Sequence, residues 1–427
     1  MKIKLHTAIF IGMVFGVLCG IVVRNTVTAD IIPEIVSWIK PIGELFLRMI
    51  FMMVIPLVVS ALILGVADFG DVSRLGKIGW KMFVYTLIVT GISVLLGIAS
   101  TAIIKPGSYL SEKDRSSIQS QFNADIQKQR ENIKKVEKQN FLQTIVKIVP
   151  KNPLEDMVRA FDTSYTGGGL LAVMFFALIL GIAMSNSPPE KVEGLKSALE
   201  GLYEITMRVI GYAMKLAPVG VASLLFVLTV NTGLSILGTL LGYMALVLSV
   251  LALHLFGTYS IILKFFCNMS PRYFFKQNTE LMLTAFTTSS SNASLPTALK
   301  TANEKLKLPK DISHFVLTIG STANQNGTAL YEGITILFLA QCFGVHLDLT
   351  QQITVVLVSI LAGMGTAGVP GGSIPVMMLI LDSIGVPGES IAIILGVDRI
   401  LDMSRTVLNV TGDMTAAVYI SHTERNN

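Results

Sequence analysis

Five residues near the C-terminus carry the strongest chemical signal in the chain: Asp398, Asp402, Arg405, Asn409 and Asp413. They step by 4, 3, 4 and 4, so a helix turning once every 3.6 residues or so places all five on one face. The surrounding stretch, residues 391–420, is otherwise mostly apolar. A charge at mid-membrane costs roughly 2.5–3.5 kcal/mol on insertion scales, so four of them on one face require partners. A purely structural network, Asp402 with Arg405 and Asp398 with Arg399, would supply some. The stripe also suits a zwitterion bearing an extra carboxylate. Asp402 can hold an ammonium, and Arg405 can grip a carboxylate with two parallel hydrogen bonds. Thr406 and Asn409 can complete the hydrogen bonding. Asp413 offers hard oxygen and, with backbone carbonyls, suits a cation.

The segments that must position this stripe are interrupted. Polar or small residues break them at Thr287-Thr-Ser-Ser-Ser-Asn-Ala-Ser294, at Asn324-Gln-Asn-Gly-Thr328 and at Gly363-Met-Gly-Thr-Ala-Gly-Val-Pro-Gly-Gly-Ser373. Broken backbone cannot face lipid, because its freed N–H and C=O groups would have no partners. Three breaks beside a charged helix therefore predict a polar site at membrane depth, with two helical hairpins supplying the Ser-rich and Gly-rich tips. The Ser289–Ser291 tip offers hydroxyls and free backbone N–H groups to a carboxylate.

The rest of the chain reads as membrane. Of its 427 residues, 52% are hydrophobic and 14% charged, far below the roughly 25% charge of a soluble domain. That excludes a disordered chain, and the odd count of 3 cysteines, Cys19, Cys267 and Cys342, all in or beside apolar runs, argues against a disulfide framework. Apolar runs at 7–23, 42–66, 82–104, 165–184, 205–230 and 234–263 are long enough to span, the second broken at Pro56. The first is an uncleaved helix rather than a leader. Alternate loops hold most Lys and Arg outside residues 105–159, which puts both termini in the cytoplasm and the chain in the inner (plasma) membrane as a multi-pass protein. The mixed-charge stretch 113–138 reads as a solvated arm. His254, His314 and His346 read as helix-end or loop residues without metal spacing. No His lies within helical reach of the serine tip, so an intramembrane hydrolase is a poor fit, and the +5 net charge is an orientation signal, not a nucleic-acid one.

Together these motifs resemble the glutamate transporter family, the dicarboxylate/amino acid:cation symporters. The likeness rests on Ser289-Ser-Ser291, Asn324-Gln-Asn-Gly-Thr-Ala-Leu-Tyr331, Gly365-Thr-Ala-Gly-Val-Pro-Gly371 and Asp398…Asp402…Arg405-Thr…Asn409-Val-Thr-Gly-Asp413, with Pro150-Lys-Asn-Pro153 beside them, and covers nearly everything outside 107–140. It implies an all-α polytopic protein of eight transmembrane helices plus two re-entrant hairpins, built from inverted repeats. It implies a homotrimer with an elevator mechanism: scaffold at 1–75 and 148–232, transport domain at 76–105 and 233–427, and an extracellular loop at 106–147. It implies import of L-aspartate or L-glutamate without an enzyme's chemistry, contacts from Ser290, Thr328, Val369, Asp402, Arg405, Thr406 and Asn409, and no bound cofactor beyond Na+ as coupling ion. One sodium site maps onto Gly320, Asn324, Asn409 and Asp413, a second onto Thr322, Gly363, Met364 and Thr366. An uncoupled chloride conductance is implied too.

The sequence departs from that family at two places. The usual Asn-Met-Asp-Gly-Thr reads Asn324-Gln-Asn-Gly-Thr328, and the partners of the replaced aspartate align with Thr86, Val89 and Thr90. A neutral cavity holds a dehydrated Na+ poorly, so a third sodium site is lost. The family's additional arginine is replaced by Thr288 in the hairpin tip and Met403 after Asp402, leaving Arg399 as a substitute. A sodium-independent or proton-coupled carrier, through Asp398 or Asp413, and a C4-dicarboxylate carrier of the same family are the alternatives. Asp402 speaks against the last, since it repels a substrate without an ammonium, and a passive channel needs neither Asp402 nor Arg405.

Overall fold

The computed structural model describes residues 5–28, 30–70, 76–122, 146, 149–160, 169–233, 235–365 and 373–425. Helices are the only regular elements among them. The first four are α1 (Leu5–Thr26), α2 (Ile32–Phe51), α3 (Val54–Gly70) and α4 (Gly76–Ile104). Then come α5 (Glu112–Gln121), α6 (Pro153–Val158), α7 (Gly169–Ser185), α8 (Pro189–Thr232) and α9 (Ser235–Leu253). The last group is α10 (Pro271–Gln277), α11 (Thr279–Thr288), α12 (Ser291–Lys300), α13 (Lys310–Ala323), α14 (Asn326–Cys342), α15 (Leu349–Gly365), α16 (Ile374–Ser383) and α17 (Leu395–Arg425). Among the described residues, five helical stretches, from Thr7–Thr26 to Ile236–Phe266, are long and apolar enough to cross a bilayer.

Prolines decide where the early helices bend. The break expected at Pro56 falls earlier, at Met52 and Met53, because Pro56 sits in the first turn of α3, where a missing N–H leaves no bond unmade. Pro41 lies inside α2. Near it Ser223 of α8 reaches in: its Oγ donates to Ile39 O at 2.6 Å and accepts from Gly43 N at 3.2 Å. A serine from one helix thus bridges two backbone groups a turn apart in another, and the two helices are joined by it.

Close approach of α1 and α8 rests on glycine. A Cβ at Gly12 would lie 2.2 Å from Pro218 O, one at Gly16 2.2 Å from Ala222 O, and one at Gly20 2.9 Å from Phe226 O. The contacts advance by four residues on both helices, so the pair runs parallel with small residues along the seam. α2 also packs on α8, and α3 on α7. In the other half, α4 lies along α14, while α11 and α13 pack on α17. The two breaks that can be followed are present. α11 and α12 form a hairpin through Ser289, whose φ of 50° turns the chain in the left-handed region. α13 and α14 are separated by Asn324 and Gln325. The tip joining α15 to α16 lies outside the described residues.

Two expectations are corrected. Part of the supposed solvated arm is the packed helix α5: Ile118 is fully buried, Gln119 Nε2 donates to Phe343 O at 2.9 Å, and Phe122 stacks obliquely on Phe343. One apolar residue per turn was too faint a pattern against so many charges; residues 123–145 lie outside the described part. His254 is no helix-end residue. It is fully buried where α9 runs on as a π-helical turn, His254–Thr258, and its ring meets Tyr259 edge-on at 5.0 Å.

The glycine seam generates a stability prediction. Gly16→Ala forces backbone apart and lowers stability by about 1–3 kcal/mol. Gly194→Ala, on an exposed face with nothing within 4 Å of the new Cβ, raises it by up to about 1 kcal/mol. Thermal unfolding of the two purified variants checks both; equal shifts would remove the seam's special status.

Candidate functional site

The stripe on α17 is buried along its whole length: Asp398, Asp402, Arg405, Asn409 and Asp413 are each at most 7% exposed. At its centre Arg405 and Asp402 form an ion pair one turn apart. Nε and Nη2 both donate to Asp402 Oδ1, at 3.0 and 2.7 Å. Nη1 donates to Ser373 Oγ at 2.6 Å, and the guanidinium lies 4.6 Å from the Tyr331 ring centroid. The expected pairing of Asp398 with Arg399 is replaced. Tyr331 OH donates to Asp398 Oδ1 at 2.7 Å, and Arg399 Nη1 reaches Asp402 Oδ2 at 3.4 Å. Arg399, three residues ahead of Asp402, is thus a second cation beside that carboxylate. Each carboxylate oxygen of Asp402 faces its own arginine, which is how an ionised group is kept in a dry interior.

One turn on, Asn409 is held from α14 and from the break before it. Its Oδ1 accepts from Gly327 N at 2.7 Å. Its Nδ2 donates to Gln325 Oε1 at 2.5 Å and to Thr328 Oγ1 at 3.1 Å. Gln325 Nε2 in turn donates to Ser321 O at 3.0 Å and to Ser291 Oγ at 3.4 Å, which ties the first hairpin to the same cluster. Gly327 is a glycine because a Cβ there would stand 2.6 Å from Arg405 O. Thr406 Oγ1 donates back to Asp402 O at 2.8 Å, and Ser290 caps α12, accepting from Ala293 N at 3.2 Å. Thus Asp402, Arg405, Thr406, Asn409 and Thr328 gather at one place, with Ser290 beside Ser291 at its edge. Val369 lies outside the described residues.

The cation candidates divide. Asn324 Nδ2 donates to Asp413 Oδ1 at 2.9 Å, while Asn324 Oδ1 is buried without a partner among the described residues. A Cβ at Gly320 would lie 2.6 Å from Asp413 Oδ1, so this backbone presses directly on the carboxylate. One negative charge, an unused amide oxygen and nearby backbone form an all-oxygen set that fits a monovalent cation. Asn409 is adjacent, its oxygen already engaged by Gly327. Of the second set, Gly363 O accepts from Gln325 N at 3.2 Å, and Thr322 and Met364 lie on α13 and α15. Thr366 is outside the described residues.

At the position of the lost aspartate the structure has a neutral network. Asn326 Oδ1 accepts from Thr90 Oγ1 at 2.6 Å, its Nδ2 donates to Tyr259 OH at 3.2 Å, and its carbonyl accepts from Ser93 Oγ at 3.0 Å. Tyr259 OH donates onward to Leu408 O at 3.2 Å. Val89 is buried against this cluster's helix face and brings no oxygen.

Sequence reasoning missed several residues here. Spacing alone gives no role to Tyr331, Ser373 or Glu332. Glu332 is fully buried on α14, with neither carboxyl oxygen hydrogen-bonded among the described residues. The available signal was plain: it is the one acidic residue in a helix of which nearly every residue is buried.

This geometry can be set beside known proteins. Residues 5–423 match the model of the Sodium:dicarboxylate symporter family. A proton/sodium-glutamate symport protein of Bacillus subtilis (strain 168) is 37% identical over 99% of this chain and 93% of its own length. A proton/glutamate-aspartate symporter of Escherichia coli (strain K12) is 31% identical over 99% and 93%. A C4-dicarboxylate transport protein of Bacillus subtilis (strain 168) is 29% identical over 99% and 93%. With its broken helices, buried charged stripe and near end-to-end match, this chain belongs to the Sodium:dicarboxylate symporter family of membrane transporters.

Proposed function

We propose that the chain is a secondary symporter that imports L-aspartate or L-glutamate, coupled to Na+ at fewer sites than its family's usual pattern. The observation that carries this is the buried Asp402–Arg405 pair, 2.7 Å apart beside a helix break. A zwitterion with a side-chain carboxylate can replace it without leaving charge unbalanced. The ammonium takes over at Asp402 as Arg405 turns to the side-chain carboxylate, while hydroxyls and backbone N–H groups near Ser290 and Thr328 receive the α-carboxylate. Val369, Thr406 and Asn409 complete the reading. The relatives named as glutamate and glutamate-aspartate symporters support this substrate class. A C4-dicarboxylate has no ammonium to offer Asp402.

Na+ is a co-transported ion here. Gly320, Asn324, Asn409 and Asp413 would hold one, and the backbone at Thr322, Gly363, Met364 and Thr366 a second. Asn326 takes no part, its amide being engaged by Thr90 and Tyr259. The moving body comprises residues 76–105 and 233–427, the fixed scaffold 1–75 and 148–232, linked by 106–147. A small cavity lies along that division, lined by Ile9, Phe46, Ala217 and Val221 on one side and by Asp398, Arg399 and Asp402 on the other. The assembly is a homotrimer in the inner membrane with both termini cytoplasmic. Glu332 favours a second reading, proton coupling: a buried carboxyl with no partner is tolerated in the apolar interior as a neutral acid.

Two outcomes follow. Purified protein binds L-aspartate saturably and in preference to succinate, and Arg405→Gln weakens aspartate by about 10- to 100-fold, from the loss of charge-assisted hydrogen bonds, while serine changes little. Equal binding of succinate would remove the ammonium role of Asp402. In proteoliposomes, uptake of labelled aspartate rises with an imposed Na+ gradient, and a log–log plot of apparent affinity against Na+ has a slope near two, as linkage requires of two ions bound with substrate. A slope near three contradicts the reading of Asn326. A flat line, with uptake driven by a pH gradient and abolished in Glu332→Gln, selects the proton reading.

A further inference from the structure

The side chain of Asn409 has no hydrogen-bond donor to spare. An amide nitrogen carries two protons, and both are committed, one to Gln325 Oε1 at 2.5 Å and one to Thr328 Oγ1 at 3.1 Å. Thr328 Oγ1 also points to Gln325 Oε1, at the long distance of 3.5 Å. One acceptor, Gln325 Oε1, therefore stands among the donors of two residues read as substrate contacts. The amide is firmly seated: Gln325 is 2% exposed, its Nε2 is held by Ser321 O and Ser291 Oγ, and its backbone N donates to Gly363 O. Geometrically it does what a substrate carboxylate would do, presenting an sp² oxygen to Asn409 and Thr328.

We propose that Gln325 is a positioning and specificity-determining residue whose side-chain oxygen competes with a substrate carboxylate for Asn409 Nδ2 and Thr328 Oγ1, so that substrate binds by exchange. This rests on the reading of Asn409 and Thr328 as substrate contacts. The same logic operates at Arg405, where Asp402 Oδ1 takes the guanidinium. There the competitor is charged and is itself needed for the ammonium. The oxygen of Gln325 is neutral and has no such second task; the amide's structural work is done by Nε2, on Ser321 O and Ser291 Oγ. A residue of similar length without an acceptor leaves Asn409 Nδ2 with a free proton aimed at the site.

The test is isothermal titration of L-aspartate into purified full-length protein at a fixed, saturating Na+ concentration, comparing the wild type with Gln325→Met, Gln325→Leu and Gln325→Glu. Release of about one hydrogen bond's worth of competition tightens binding by about five- to tenfold in the Met and Leu variants. Gln325→Glu, which keeps an acceptor, binds no tighter than the wild type. A purely structural role for Gln325 predicts the opposite sign, looser binding in Met and Leu as Asn409 loses its anchor, and that result overturns the proposal. So does equal tightening in the Glu variant, because the acceptor would then be irrelevant. Unfolding temperatures measured alongside identify any variant that fails to fold, and two acceptor-free variants keep the comparison decisive. Absence of aspartate binding in every protein, wild type included, overturns the substrate reading itself and the proposal with it; binding by the wild type with unchanged or weaker variants sinks the proposal alone.

Discussion

Two residues, Asn324 and Gln325, interrupt the helix between Ala323 and Asn326, and the interruption leaves backbone groups exposed within an apolar body. Every one of those groups must find a partner inside the protein. Gln325 N finds Gly363 O of the second hairpin, Gly327 N finds Asn409 Oδ1 of the last helix, and Asn326 O finds Ser93 Oγ of the fourth. Three separate segments are thus recruited to one point by the needs of the main chain. The polar residues that the site requires arrive with them. The break is therefore the assembling element: without it, α17 would have no reason to turn its charged face toward α14.

Tight approach is the second requirement, and the fold meets it with glycine where a hydrogen bond or charge must be reached. Gly320 lets Asp413 approach a backbone, Gly327 lets α14 reach Arg405, and at Gly412 a Cβ would stand 2.5 Å from Tyr259 OH. The π-helical turn before Tyr259 adds a residue to α9's winding and so re-aims the ring toward Asn326. Scaffold and site use the same device for different ends: Gly12 and Gly16 hold two apolar helices together, whereas Gly320 and Gly327 hold polar groups at bonding distance.

Much of this was legible in the sequence, and for physical reasons. The spacing of Asp398, Asp402, Arg405, Asn409 and Asp413 is a helical period, and charges in an apolar helix have to be buried together. The breaks at Ser289 and Asn324 were legible because clustered polar residues cannot cross lipid as helix. What the sequence withheld was pairing. Arg399 reaches Asp402, and Asp398 takes Tyr331, because rotamers and neighbouring helices decide partners, which spacing cannot. Ile118 is buried and Phe122 meets Phe343, more than two hundred residues away, and a charge-rich stretch conceals so few apolar contacts. Glu332 differs: a lone carboxyl has no period, and its mark in the sequence is that it is the single charged residue of 326–342.

The choice of hydroxyls on α4 has a consequence for biosynthesis. Thr90 and Ser93 meet Asn326 across 236 and 233 residues of sequence. When α4 leaves the ribosome its partner has not been made. A carboxylate at such a position would enter the bilayer with nothing to neutralise it, whereas a hydroxyl can turn back on its own helix, as Ser93 Oγ does to Thr90 O at 2.8 Å and Thr101 Oγ1 to Gly97 O at 2.8 Å. The fourth helix can therefore be integrated early and alone, its polar face unpaired with other segments, and be joined to Asn326 only when α14 is delivered. The pairing of Lys81 with Glu424, 343 residues apart, can form only later still.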